Sequence, residues 1–393
     1  MTELRTVFSE FDPARVPSPC YVIDLATVES NLRVLHRIAS DADVKVLLAL
    51  KAFACFEVAG LIGTYLDGTA ASGLWEARLG HDRFAGEVHA YVPGLKSGDV
   101  EEIQTYADHI IFNSLNQWER FAPRLSAPAR CALGLRINPR HSEVEIATYD
   151  PCAAWSRLGT LAHDLTADVL RQISGFHVHA LCDQGYNPFN RLLAATESRF
   201  GHFFGDINWI NLGGGQLLTA HDYPVERLID RLRAFRQRWG LQVYLEPGTA
   251  VALNAGALVA EVVDTGWNDG NFAVLDASAT CHMPDVIEAP YTPDLLGAVQ
   301  LASLTEPAER DDRVLRLGGP TCLAGDIIGT YRFEDRPNTG DRLIILDQAY
   351  YTMVKSTTFN GTQLPAIALW DSRTDELRVV REFAYDAFES RLG

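Results

Sequence analysis

Val44-Lys45-Val46-Leu47-Leu48-Ala49-Leu50 is an apolar run that ends on Lys51, and it is the first of eight such runs. The others occupy residues 66–72, 88–93, 109–114, 131–138, 175–181, 209–215 and 242–248. Short apolar segments of this kind, bounded by polar and glycine residues, read as buried strands. Between them lie longer stretches with apolar residues at helical spacing, such as Leu74-Trp75-Glu76-Ala77-Arg78-Leu79 and Val225-Glu226-Arg227-Leu228-Ile229-Asp230-Arg231-Leu232. Strand alternating with helix eight times predicts an α/β fold, a (β/α)8 barrel of the TIM type.

Beyond about residue 255 the rhythm changes. Phe272-Ala273-Val274-Leu275-Asp276, Val314-Leu315-Arg316-Leu317 and Arg342-Leu343-Ile344-Ile345-Leu346 stand between Gly, Pro and Asp clusters with few helical stretches, which predicts a β-rich domain. The expected organisation is a barrel over residues 27–255 and a β-rich domain over 256–393. The N-terminal segment 1–26 joins the latter through Pro19-Cys20-Tyr21-Val22-Ile23, ahead of a helix expected over residues 25–39. A chain of 393 residues suits one large domain plus a smaller one.

Composition bounds the function. The apolar fraction is 47% and the charged fraction 22%, both ordinary for a globular protein, so extended disorder is not expected. A net charge of -17 lacks the basic footprint that nucleic acid or an anionic membrane requires, and it suits a cationic ligand. Met1-Thr2-Glu3-Leu4-Arg5 is not a basic segment leading into an apolar one, and no apolar run approaches spanning length, so a cytoplasmic protein is expected. Cys20, Cys55, Cys131, Cys152, Cys182, Cys281 and Cys322 are an odd, scattered set without a C-x-x-C pair, which suggests neither a disulfide framework nor a metal site.

In a barrel of this class the chemistry sits at the carboxyl ends of the strands. The first run ends at Lys51, the fifth at Arg136-Ile137-Asn138, the sixth carries His177 and His179, the seventh ends in Gly213-Gly214-Gly215, and the eighth in Glu246-Pro247-Gly248-Thr249. Taken singly, each has a structural reading: a strand-end lysine laid over apolar surface, a flexible glycine turn, a carboxylate bound to loop amides. Taken together, a lysine able to form an imine, a backbone cradle for phosphate, an imidazole for a ring face and an acid for a pyridine nitrogen are what pyridoxal 5'-phosphate (PLP) requires. The G-x-G-x-x-G spacing is absent, which disfavours NAD.

The ordered set Ala49-Leu50-Lys51-Ala52, Gly175-Phe176-His177-Val178-His179, Gly213-Gly214-Gly215, Glu246-Pro247-Gly248, Gly319-Pro320-Thr321-Cys322 and Tyr350-Tyr351-Thr352 resembles the alanine-racemase-fold PLP decarboxylases, the group of ornithine and diaminopimelate decarboxylases. Within it, His177-Val178-His179-Ala180-Leu181-Cys182, Asp206-Ile207-Asn208-Trp209-Ile210-Asn211, Ser278-Ala279-Thr280-Cys281-His282-Met283-Pro284-Asp285 and Gly319-Pro320-Thr321-Cys322-Leu323-Ala324-Gly325-Asp326 look most like the carboxynorspermidine (carboxyspermidine) decarboxylases. The resemblance spans nearly the whole chain. It implies that Lys51 carries PLP as an imine, His177 stacks on the ring, and Glu246 pairs with the pyridine nitrogen. It further implies that Gly213, Gly214, Gly215, Gly248, Thr249 and Tyr351 hold the phosphate, with Arg136 near the cofactor. Cys322 matches a cysteine that enters the site from a neighbouring subunit, which implies a head-to-tail homodimer with shared active sites.

The implied reaction is loss of carbon dioxide from carboxynorspermidine or carboxyspermidine, giving norspermidine or spermidine in polyamine biosynthesis. Cys322 or Lys51 then returns a proton to the α-carbon as general acid. Glu288 follows Met283-Pro284-Asp285-Val286-Ile287 where diaminopimelate decarboxylases place an arginine, and Leu323 and Thr69 stand where ornithine-type enzymes carry acids. Candidate partners for the substrate amines are Asp285, Glu288, Asp326 and Asp276, with His179 and His282 as further hydrogen-bonding groups. A diaminopimelate or other basic amino-acid decarboxylase, and a PLP-binding regulator without turnover, are the alternatives.

Overall fold

The structure is a computed structural model that describes residues 7–125, 131–301 and 311–393. Met1-Thr2-Glu3-Leu4-Arg5, read above for targeting, lies outside the described residues. The chain divides into two compact units, one holding Glu29–Val251 and the other Ala252–Gly393 with the N-terminal residues through Val28.

β1 (Cys20–Asp24) belongs to the second unit. The first unit is built on β2 (Lys45–Ala49), β3 (Gly68–Ala71), β4 (Glu87–Tyr91), β5 (His109–Phe112), β6 (Ala132–Arg136), β7 (Gly175–His177), β8 (Trp209–Asn211) and β9 (Gln242–Leu245). Each strand is parallel to the next, and β9 closes on β2 to complete the eight-stranded barrel. Buried strands explain the unbroken apolar runs, since both faces meet side chains.

The barrel is filled from within by Leu47, Ala70, Ile111, Trp209 and Tyr244. Trp209 takes so much of this space that a Cβ on Gly175 would fall 2.0 Å from its indole and one on Gly134 would fall 2.4 Å away. Glycines on β6 and β7 therefore make room for a tryptophan on β8. Outside, the helix Val225–Trp239 buries Leu228, Ile229, Leu232 and Phe235, the stripe its spacing predicts, and stops at Gly240 with φ 70°.

The second unit is a mixed nine-stranded sheet in which β10 (Gly256–Trp267) is the hub. It pairs antiparallel with β1, with β11 (Asn271–Leu275) and with a strand at Arg342–Leu346. β1 thus joins this sheet, and the helix after it runs over Leu25–Ala42, three residues longer than expected. Apolar clusters lie on both faces, one around Leu258, Leu275, Leu317 and Tyr331, the other around Phe8, Phe11, Val259 and Trp370.

Candidate active site

Five barrel strands deliver the site. Lys51 stands two residues past β2, Arg136 and His177 are the last residues of β6 and β7, Asn211 ends β8, and Glu246 follows β9. All lie at the carboxyl-terminal mouth, and the same register that closes the barrel brings them together.

Glu246 is buried and fully engaged. His177 Nε2 lies 3.2 Å from one carboxylate oxygen, and Asn211 Nδ2 donates to the other at 2.7 Å. Burial alone would raise this carboxyl, but the His177 imidazole, with His89 and Lys51 behind it, holds it down to about 2, so Glu246 is a carboxylate at any working pH. His177 is itself pushed below its usual value by burial, against the pull of Glu246. Its Nδ1 has no hydrogen-bond partner, which fits a neutral ring whose proton sits on Nε2. The ring stacks on Tyr91, 5.2 Å between centroids, and the Arg136 guanidinium lies over that same tyrosine ring, 4.6 Å from its centroid.

The Lys51 amine is held below the ordinary lysine value. Burial lowers its pKa first, and Arg136 adds to this, while Glu246 opposes. Its Nζ lies 3.3 Å from His179 Nε2. His179 Nδ1 accepts the Gly214 N–H at 3.0 Å, so the imidazole proton is on Nε2 and faces the amine. Arg136 donates to the His179 carbonyl at 2.8 Å and fixes that strand end.

The glycines are required by close approach. A Cβ on Gly214 would lie 2.0 Å from the Glu246 carbonyl oxygen, one on Gly215 2.1 Å from the Leu181 carbonyl, and one on Gly248 2.4 Å from Ala52. Gly213 and Gly215 also hold φ of 68° and 83°, which favours glycine. The Gly213 N–H donates to Asn211 Oδ1 at 2.9 Å. Thr249 opens a short helix and its hydroxyl donates to Asp183 at 3.1 Å. Bare backbone at a barrel mouth, a buried carboxylate with an imidazole on it, and a lysine of lowered pKa fit a phosphorylated pyridine aldehyde.

The remaining candidates lie in the second unit. Cys322 is exposed, and both its backbone N–H and its thiol meet Asn360 Oδ1 at 3.2 Å. Asp326 is buried and accepts from Ser278 Oγ, from the Thr280 N–H and from the N–H and hydroxyl of Thr321, so its carboxylate anchors the loop that carries Cys322. His282 is buried, its Nδ1 accepts the Ser278 N–H, and burial lowers its pKa to about 4. Asp276 accepts the Glu261 N–H at 2.8 Å. Lys355 bridges Asp285, at 2.6 Å, and Glu288. Tyr351 holds φ 49° beside Tyr350.

Asn211, Tyr91, Asn360 and Lys355 were not singled out from the sequence. Asn211 alone left a signal, as the polar residue at the end of an apolar run just before the glycines. The others meet their partners across gaps that no spacing pattern encodes.

A lysine-bearing barrel with this carboxylate, imidazole and glycine set, accompanied by a β-sheet unit, defines a class of PLP enzymes of the alanine-racemase fold. The chain belongs to the pyridoxal-dependent decarboxylases: residues 20–349 match the family described as pyridoxal-dependent decarboxylase, C-terminal sheet domain. It is 39% identical over 382 residues to a carboxynorspermidine/carboxyspermidine decarboxylase of Campylobacter jejuni, covering 96% of this chain and 99% of that one. It is 41% identical over 380 residues to a carboxyaminopropylagmatine decarboxylase of Synechocystis, covering 96% of each. A solved structure of carboxynorspermidine decarboxylase complexed with norspermidine, from Campylobacter jejuni, superposes with a TM-score of 0.87 at 38% identity, covering 96% of this chain and all of that one. The enzyme is thus a decarboxylase, and its cofactor is PLP.

Proposed function

We propose that this enzyme removes the α-carboxylate of carboxynorspermidine and carboxyspermidine, releasing norspermidine or spermidine. The observation that carries the reading is the Lys51 amine, lowered in pKa by burial and 3.3 Å from His179, in the mouth that also holds the ionised Glu246. Near-full-length identity to a decarboxylase named for these substrates supports the substrate class, and a net charge of -17 suits a polycation. Carboxyaminopropylagmatine, the substrate in the name of the Synechocystis relative, is the second reading. It shares a carboxylated aminopropyl polyamine and differs at the far cationic group. Diaminopimelate is a weaker alternative, because Glu288 stands where an arginine is expected for a distal carboxylate.

When bound, PLP supplies an electron sink for the pair left by departing carbon dioxide. Lys51 provides the amine that holds the cofactor and yields to the substrate amine. Glu246, fixed by His177 and Asn211, places a permanent negative charge where a protonated pyridine nitrogen needs a partner. His177 offers a flat neutral face, and Gly213, Gly214, Gly215, Gly248, Thr249 and Tyr351 form the phosphate-holding group, with Arg136 bracing the strand ends. Cys322, its thiol directed to Asn360, returns the proton to the α-carbon. Asp285 and Glu288 are the acids best suited to a substrate amine, which would replace the Lys355 ammonium between them. Asp326, Asp276 and His282 act through the loops they hold.

The enzyme is read as a cytoplasmic homodimer in which Cys322 completes the site of a second copy. Seven free cysteines suit a reducing compartment, and no described helix is long and apolar enough to cross a membrane. Mixing inactive Lys51→Ala and Cys322→Ala proteins tests the shared site: recovered activity supports it, and none contradicts it.

A further inference from the structure

At the amino-terminal mouth of the barrel, the end of the strands opposite Lys51, three metal-ligating side chains converge. Glu87 opens β4, His89 follows two residues later, and His109 opens β5 in direct register with His89. Their ligating atoms all lie within 4.8 Å of one another. The two imidazoles stack with centroids 3.8 Å apart and are 1% and 9% exposed, and Nδ1 of each lacks a hydrogen-bond partner. Trp209 packs 4.8 Å from His109 and Tyr244 4.5 Å from His89, and neither satisfies those nitrogens. Nε2 of His89 lies 3.4 Å from a Glu87 carboxylate oxygen, yet Nδ1 of both rings stays bare, and because buried polar atoms are nearly always paired, this pair of imidazoles calls for a ligand. Glu87 and the Lys45 ammonium paired with it are about one-third exposed, which leaves a path from solvent.

We propose that Glu87, His89 and His109 form a divalent transition-metal site, with zinc the preferred ion and water on its open position. Two imidazoles and one carboxylate suit zinc and disfavour magnesium or calcium, which take oxygen ligands. An ion here would tie β4 to β5 at the face of the barrel that governs stability, and it takes no part in decarboxylation. Lys45 is the built-in competitor, because its ammonium already occupies Glu87. The ligands sit on two strands and are spread over residues 87, 89 and 109, so no cysteine or histidine spacing in the sequence displays them.

The test titrates PLP-loaded protein, previously cleared of metal with a chelator, with Co2+ and then Zn2+. Expected are one Co2+ per chain with visible d–d bands, displacement by Zn2+, and a Tm raised by Zn2+. His109→Gln and Glu87→Gln abolish the bands; Glu87 is partly exposed, so its variant keeps the fold if the buried histidine variant does not. Cys322→Ser leaves them intact, and Lys45→Met tightens binding by about tenfold through removal of the competing charge. Absence of binding, binding unchanged by both ligand variants, binding lost in Cys322→Ser, or binding confined to Lys45→Met each overturns the proposal.

Discussion

Lys51 Nζ lies 3.3 Å from Nε2 of His179, whose other ring nitrogen accepts the Gly214 N–H, so a glycine amide sets the imidazole tautomer that meets the lysine. A ring that presents N–H to the amine favours the amine in its neutral, electron-pair-bearing form. The apoprotein should therefore take up PLP with a pH midpoint below the ordinary lysine value of 10.5. In His179→Ala, water reaches Lys51 and the burial that lowers its pKa is relieved, so the midpoint moves upward. Uptake followed by absorbance against pH measures this, and an unmoved midpoint contradicts the arrangement.

Glu246 has its carboxyl lowered from 4.5 to about 2 in the folded protein. A depressed acid adds stability above its unfolded value and loses it as pH falls through the folded one. The stability advantage of the wild-type apoprotein over Glu246→Gln should be full above about pH 4.5 and shrink toward pH 2. Urea unfolding of both proteins across that range checks it. In the holoenzyme, Glu246→Gln should lower kcat roughly 10²-fold, the usual scale for one preorganised electrostatic partner.

Gly214→Ala places a methyl 2.0 Å from the Glu246 carbonyl oxygen. The backbone at both strand ends must shift, costing about 1–3 kcal/mol of stability, typical of overpacking. Thermal unfolding should show a lower Tm together with weaker PLP retention on gel filtration.

Asn360 receives the Cys322 thiol at 3.2 Å, and its own φ of 59° is one that asparagine tolerates. Asn360→Ala should lower kcat roughly tenfold or less, since one neutral hydrogen bond contributes about 1 kcal/mol. KM should be unchanged, because the contact aims a proton and does not bind substrate. Steady-state kinetics with a solvent isotope comparison separates this from a general loss of structure, which would move both constants.

The barrel was legible because every strand is an apolar run cut by glycine or polar residues. The run at 209–215 stops as a strand at Asn211 because Gly213 and Gly215 turn the backbone to φ of 68° and 83°, geometry that the glycines themselves foretell. The placement of Lys51, His177 and Glu246 was legible from position, as polar residues ending apolar strands, while their roles came only from the set they form together and from the family resemblance. The surroundings of the acids were not. Asp326 meets Ser278 across 48 residues, and Lys355 meets Asp285 across 70, pairings created by sheet topology and invisible to local spacing. Asp285, Glu288 and Asp326, all chosen for charge, thus stand in ion pairs or loop anchors of the β-rich unit.

Turnover of the purified holoenzyme on carboxynorspermidine, carboxyspermidine, carboxyaminopropylagmatine and meso-diaminopimelate, beside Lys51→Ala, tests the central claim most directly. Carbon dioxide release should be highest in kcat/KM for the two carboxylated triamines, at least about tenfold above diaminopimelate, a margin of about 1.4 kcal/mol in transition-state binding, and Lys51→Ala should abolish it. Faster release from diaminopimelate, or full activity in Lys51→Ala, would contradict the account.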